Sequence, residues 1–250
     1  VETKERMMGM GEKRITIFTG NFGSGKTEVS INYALKLAKE EKERQVALVD
    51  LDIVNPYFRS REARKLLEKN GVKVIIPGED LVDADLPIIT PGILGVIQNP
   101  CFRVVFDVGG DDVGATALGR FHKYFRTEEY EHLLVVNPFR PFTRDVAGIK
   151  DVLQAVEKAS RLKISGLVSN PNLGCETNYS VVLQGNSIVE DTSKKLELPI
   201  KFLSATAENL PAVDFDIGCP IFPIKIYLLV PWYDDNSVAP KVDTKLRLRF

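Results

Sequence analysis

Short, uninterrupted apolar runs alternate along the chain with longer stretches in which apolar residues recur every three or four positions. Residues 14–19 form the first run, and 26–41 follow with Val29, Ile31, Ala34, Leu35, Leu37 and Ala38 at helical spacing. Further runs of strand length, rich in β-branched or other apolar residues, occupy 46–51, 72–76, 104–108, 133–136, 164–168, 200–203 and 221–229. Helical patterns lie between most of them. One covers 57–70; another follows Thr143, the expected cap, with Val146, Ile149, Val152, Leu153 and Val156 on one face. This alternation predicts a mostly parallel sheet, and strands without polar alternation predict that both sheet faces are covered. The expectation is a doubly wound α/β fold of about seven or eight strands with helices on both faces. Ligands of such sheets sit at the carboxyl ends of the strands, so those ends carry the candidate chemistry.

The first strand runs into Gly20-Asn21-Phe22-Gly23-Ser24-Gly25-Lys26-Thr27, a match to G-x-x-x-x-G-K-[ST]. The glycines let backbone N–H groups close around phosphates, Lys26 reaches the β/γ-phosphates, and the Thr27 hydroxyl ligates Mg²⁺. A helix starting here turns the positive end of its dipole toward the phosphates, with Glu28 beside them. A nucleotide is therefore expected at residues 20–28.

Three other strand ends add to it. The second run ends in Asp50-Leu51-Asp52, two carboxylates on one side of an extended chain, suited to holding Mg²⁺ or orienting a water; Asp52 alone would also serve as a helix cap. Asp107-Val108-Gly109-Gly110 ends the run at 104–108 as D-x-x-G, in which the acid meets the metal and a glycine N–H the γ-phosphate, or else makes a β-turn. The following 111–114 is expected to be a flexible switch. After 164–168 come Ser169-Asn170-Pro171-Asn172-Leu173-Gly174, where Asn170 reads either as an adenine contact or as turn chemistry shaped by Pro171 and Gly174. No N-K-x-D guanine reader occurs, which favours ATP/ADP. The expected catalytic set is Lys26, Asp52 and Asp107, and the expected metal set is Thr27, Asp50, Asp52 and Asp107.

Composition narrows the partners. The 250 residues are 44% hydrophobic and 27% charged with net charge −1, so no global field favours nucleic acid or anionic lipid. Cys101, Cys175 and Cys219 are widely spaced and odd in number, which argues against a disulfide framework and for a reducing, cytoplasmic setting. No apolar run approaches the roughly 20 residues of a membrane span. We read residues 14–230 as one nucleotide-binding domain, between an extension at 1–13 and a tail at 231–250. The alternating basic and apolar residues of 241–250 suit a strand or disordered tail better than a membrane helix.

In order and type these motifs resemble those of the MinD/ParA/CobQ-type P-loop ATPases, a class that includes nitrogenase-iron-protein-like members, over roughly residues 14–229. The resemblance implies a P-loop NTPase fold with Asp50-Leu51-Asp52 and Asp107 to Gly110 at the phosphates. It also implies Asn170 at the adenine and a second base loop at 204–209. Most of the class carries a lysine directly after the first P-loop glycine that crosses a dimer to the partner's nucleotide; this chain has Asn21 there. Arg59 and Arg120 are the candidate replacement cations, and Arg59, Arg61, Arg64, Arg140 and Arg144 are candidate contacts to an anionic substrate. A homodimer and a protein partner are implied by the resemblance. The leading reading is a slow Mg²⁺-dependent ATPase that switches a partner protein; the alternative is an ATP-dependent synthetase acting on a small carboxylate.

Overall fold

The computed structural model describes residues 13–51, 61–76, 91–109, 112–125, 128–210 and 217–228. The expected extension and tail, Asp52, Arg59, Gly110 and Asp111 lie outside them. Strands β1 (Ile15–Thr19), β2 (Gln45–Asp50), β3 (Lys73–Ile75), β4 (Phe102–Asp107), β5 (Tyr130–Val136), β6 (Gly166–Ser169), β7 (Ile200–Thr206) and β8 (Ile221–Ile224) form one sheet in the order β3-β2-β4-β1-β5-β6-β7-β8. Every neighbouring pair is parallel. The helices between them are α1 (Lys26–Glu40), α2 (Arg61–Lys69), α3 (Pro91–Gln98), α4 (Asp112–Gly119), α5 (His122–Phe125), α6 (Val146–Ser160) and α7 (Tyr179–Leu196). The doubly wound α/β fold read from the apolar runs is the fold observed.

Strand parity explains why the runs are continuous. Phe18, Val105, Leu133, Val135 and Phe202 face α1, where Tyr33 lies 5.2 Å edge-on to Phe18 and stacks parallel to Phe202. Ile15, Ile17, Val104 and Phe106 face the other way onto α3 to α5, and Leu134, Val136 and Leu167 onto α6 and α7. Both faces are thus dry, so alternate polar positions would leave unpaired groups in the core. His132 of β5 is such a position: fully buried, it shares a 3.1 Å hydrogen bond between its Nε2 and the Thr19 hydroxyl, and burial pushes its pKa down to about 3.

Two local expectations need correction. The cap of α6 is Asp145, whose carboxylate accepts from the Gly148 N–H at 2.9 Å, while the Thr143 hydroxyl donates instead to the Asn137 carbonyl at 2.6 Å. Asp145 is the residue next to the helix and so meets the free N–H groups of its first turn. The expected flexible switch at 111–114 is helical from Asp112 onward. A Cβ on Gly114 would fall 2.5 Å from the Gly109 carbonyl oxygen, so the close approach of α4 to the turn after β4 requires glycine at that position. Among the described residues, no helix is long and apolar enough to cross a membrane.

The topology opens one crevice. From β1 the chain passes through α1 to β2 on one side, while from β4 it skips β1 to reach β5 on the other. The loops after β1 and β5 therefore leave adjacent strand ends toward opposite faces, which is where ligands of open parallel sheets bind.

Candidate nucleotide site

The loop between β1 and α1 is shaped by close contacts that side chains would block. A Cβ on Gly20 would meet the Val135 carbonyl at 2.5 Å and the Ser24 hydroxyl at 2.6 Å. Gly23 and Gly25 adopt φ of +75° and +82°, and Gly25 caps α1 from the left-handed region. The Ser24 N–H donates to the Asn21 carbonyl at 3.0 Å, and the Asn21 side-chain oxygen accepts from the Phe22 N–H at 2.8 Å. Asn21 thus closes the turn locally. Lys26 and Ser24 are buried, Thr27 stays half-exposed at the helix start, and the Phe22 ring is 62% exposed. The buried Ser24 hydroxyl has no hydrogen-bond partner among the described residues. A pocket bounded by free helix N–H groups, a lysine and an unpartnered hydroxyl is a site for an oxyanion.

The acidic flank lies on β2 and β4. Asp50 and Asp107 are register partners, and Asp107 is also the partner of Phe18, so both acids face α1. Asp107 is 3% exposed, and the Ser30 hydroxyl, one turn beyond Lys26, lies 2.8 Å from the Lys26 carbonyl and 3.3 Å from Asp107 Oδ1. No group of three or more His, Cys, Asp or Glu side chains among the described residues stands ready to hold a metal alone. That suits Mg²⁺, which takes one or two carboxylates and completes its shell with phosphate and water. Thr27, Asp50 and Asp107 fit such a shared site by chemistry and placement.

The opposite flank is built from amides. Asn170, 2% exposed, donates Nδ2 to the Ser24 carbonyl at 2.7 Å and accepts from the Ser204 hydroxyl at 3.0 Å. A Cβ on Gly25 would sit 2.2 Å from that Nδ2. The amide expected to read adenine is therefore engaged with the P-loop and with strand β7. Pro171 packs into α7, where a Cβ on Gly185 would fall 2.5 Å from it. Asn137, fully buried and missed by sequence reasoning, donates to the carbonyls of Gly23 (3.3 Å) and Asn172 (2.9 Å) and accepts from the N–H groups of Phe139 and Asn172 (3.2 Å each). Its full hydrogen-bonding capacity is used. The Asn-Pro step closing an apolar strand is the signal that marks it.

Glu28 departs from its expected place beside the phosphates. Its carboxylate turns to the segment after β8, accepting from the N–H groups of Tyr227 (3.0 and 3.1 Å) and Leu228 (2.5 Å). Asn32, one turn on, exchanges paired hydrogen bonds with the Lys225 backbone at 2.8 and 2.9 Å. Burial, opposed by those N–H groups and aided by Asp107, pushes the Glu28 carboxyl up to about 7. What Glu28 has left for a phosphate is its backbone.

No protein-family model and no curated protein matches the chain. Solved structures do. The cell division protein FtsY of Thermotoga maritima aligns with TM-score 0.52 and 18% identity, over 86% of this chain and 70% of that one. Chloroplast FtsY of Physcomitrella patens gives 0.55 and 16%, over 87% and 67%. FlhF, in complex with GTP and Mg²⁺, gives 0.50 and 12%, over 83% and 71%. At these identities the likeness is one of fold: an α/β sheet of the P-loop NTPase kind.

Proposed function

We propose that this chain binds Mg²⁺-ATP at residues 20–27 and hydrolyses it slowly as a switch acting on a partner protein, in the manner of the MinD/ParA/CobQ-type ATPases. The observation that supports this reading is the glycine loop itself: Gly20, Gly23 and Gly25 each hold the backbone where a side chain would clash or strain, directly before the buried Lys26. We assign the nucleotide-binding unit to residues 14–230. Lys26 carries charge to the β/γ-phosphates, and Thr27, Asp50 and Asp107 are the metal-side groups, with Asp52 assigned from sequence order alone. Gly109 is assigned to sense the γ-phosphate, and Gly110 joins it from sequence order alone. The Mg²⁺, when bound, neutralises developing phosphate charge; the chain's own part is to fix the phosphate chain and keep Asp107 pointed at it through Ser30.

ATP over GTP rests on the missing N-K-x-D, and a protein partner on the slow turnover expected of a site with Asn21 in place of the class's lysine. Calorimetric titration with both nucleotides in Mg²⁺ tests the choice: ATP should bind at least about tenfold more tightly than GTP, a gap of about 1.4 kcal/mol. Equal affinities would exclude an ATP-specific switch. Turnover that appears only with an added carboxylate would replace the switch with a synthetase.

A further inference from the structure

We propose that Arg140, on the loop between β5 and α6, supplies the second cation of the phosphate site, its terminal amino groups binding the γ-phosphate of the nucleoside triphosphate held on the same chain. The inference rests on the nucleotide reading above. Asn21 stands where that class carries a lysine, and its side chain is spent on the Phe22 N–H. Within residues 20–27 the only cationic side chain is Lys26.

Arg140 is already on the P-loop. Its Nε donates to the Gly23 carbonyl at 3.0 Å, the same oxygen that Asn137 contacts. The guanidinium covers the face of Gly23 where a side chain would begin: a Cβ there would fall 2.8 Å from Nε and 3.1 Å from the central guanidinium carbon. Gly23 thus serves both the left-handed backbone and the seating of this arginine. The seat is prepared in advance. The Arg140 N–H donates to the Asn137 carbonyl at 3.1 Å, the Thr143 N–H to the Arg140 carbonyl at 3.0 Å, and the Thr143 hydroxyl closes on Asn137. Only Nε is committed. The two terminal amino groups make no hydrogen bond or ion pair with the described residues, and the side chain remains exposed, so the paired donors that suit a phosphate are available.

Of the two candidates named from sequence, Arg120 does not compete. Arg59 lies outside the described residues. Arg120 follows α4, and a Cβ on its neighbour Gly119 would lie 2.6 Å from the Ala159 carbonyl in the last turn of α6. Phe142, two residues from Arg140, meets Gly148 in the first turn of that helix. The 15 residues of α6 span about 22 Å, so Arg120 sits at the far end of the helix from the P-loop.

The test compares triphosphate with diphosphate. ATPγS and ADP are titrated calorimetrically, in Mg²⁺, into the wild type, Arg140→Ala and Arg140→Lys, with melting temperatures as a folding control. Arg140→Ala should weaken ATPγS by about tenfold or more and ADP by less than about threefold. Arg140→Lys, which keeps the charge and loses the fork, should fall between. Any hydrolysis by the wild type should drop by about 10³ in Arg140→Ala. Equal weakening of both ligands would mean that Arg140 only braces the Gly23 carbonyl, and no change in either would mean that it does not face the phosphates; each overturns the inference and leaves the nucleotide reading standing. A wild type that binds neither ligand would overturn both.

Discussion

The two flanks of the P-loop are built from different chemistry. Toward β2 and β4 the groups are carboxylates: Asp50 and Asp107 lie opposite each other at the strand ends and face α1. Toward β5, β6 and β7 they are amides, a hydroxyl and a guanidinium, and nearly all their contacts go to main-chain atoms of the P-loop or its neighbours. Asn137 and Asn170 are neutral and buried, so they set shape without adding charge to a dry site. A carboxylate, by contrast, is costly to bury as a charge unless it is paired. The carboxylates and the buried amides therefore reside on different strands and should be separable by mutation.

Lys26→Ala should have the largest effect, because it removes the buried cation between the flanks. Phosphate release should fall by about 10³ or more, with ATP binding weakened more than ADP binding. Wild-type turnover in that variant would remove the phosphate site from this loop. On the amide flank, Asn170→Ala strips partners from the Ser24 carbonyl and the Ser204 hydroxyl and should cost about 2–3 kcal/mol of unfolding free energy in urea titrations. ATP and ADP should weaken together, because the defect is one of shape. Selective loss of ATP alone would contradict that division.

The core beneath this flank adds a pH dependence. His132 titrates near 6.5 when unfolded and at about 3 when folded, so between these values the unfolded chain binds the extra proton. Stability should fall as the pH drops through that window, by about 2 kcal/mol at pH 5 relative to pH 7, and His132→Leu should lack this part of the slope. Identical slopes in the two proteins would show that His132 is not held neutral. The smallest effect is expected on the acidic flank. Asp107→Asn should leave the fold intact and raise the Mg²⁺ concentration needed for half-maximal ATP binding by about tenfold. Unchanged Mg²⁺ dependence would move the metal away from Asp107.

The acidic flank and the P-loop were legible in the sequence because their signals are local. Gly20 to Thr27 carry their geometry in consecutive residues, and Asp50 and Asp107 end apolar runs whose parallel pairing brings them together. The amide flank was not, since its contacts to the P-loop join residues more than a hundred positions apart. Nothing near Asn137 or Arg140 announces that both converge on Gly23. Asn170 was singled out for its position, yet its partners, Ser24 and Ser204, lie on the P-loop and on strand β7. The Glu28 side chain follows the same rule: its neighbours in sequence belong to the P-loop, while its partners are Tyr227 and Leu228. At 111–114 polar composition suggested a loose switch, and helix packing through Gly114 outweighed it.

A crystal structure of the protein with Mg²⁺ and ATPγS tests the central claim most directly. The account predicts the β- and γ-phosphates within the turn formed by residues 20–27, with Lys26 against them, Thr27 and the Asp107 side at the metal, and Asn170 still bound to the Ser24 carbonyl. Nucleotide bound elsewhere on the sheet, or phosphates in this loop with the metal on groups remote from Asp107, would contradict it.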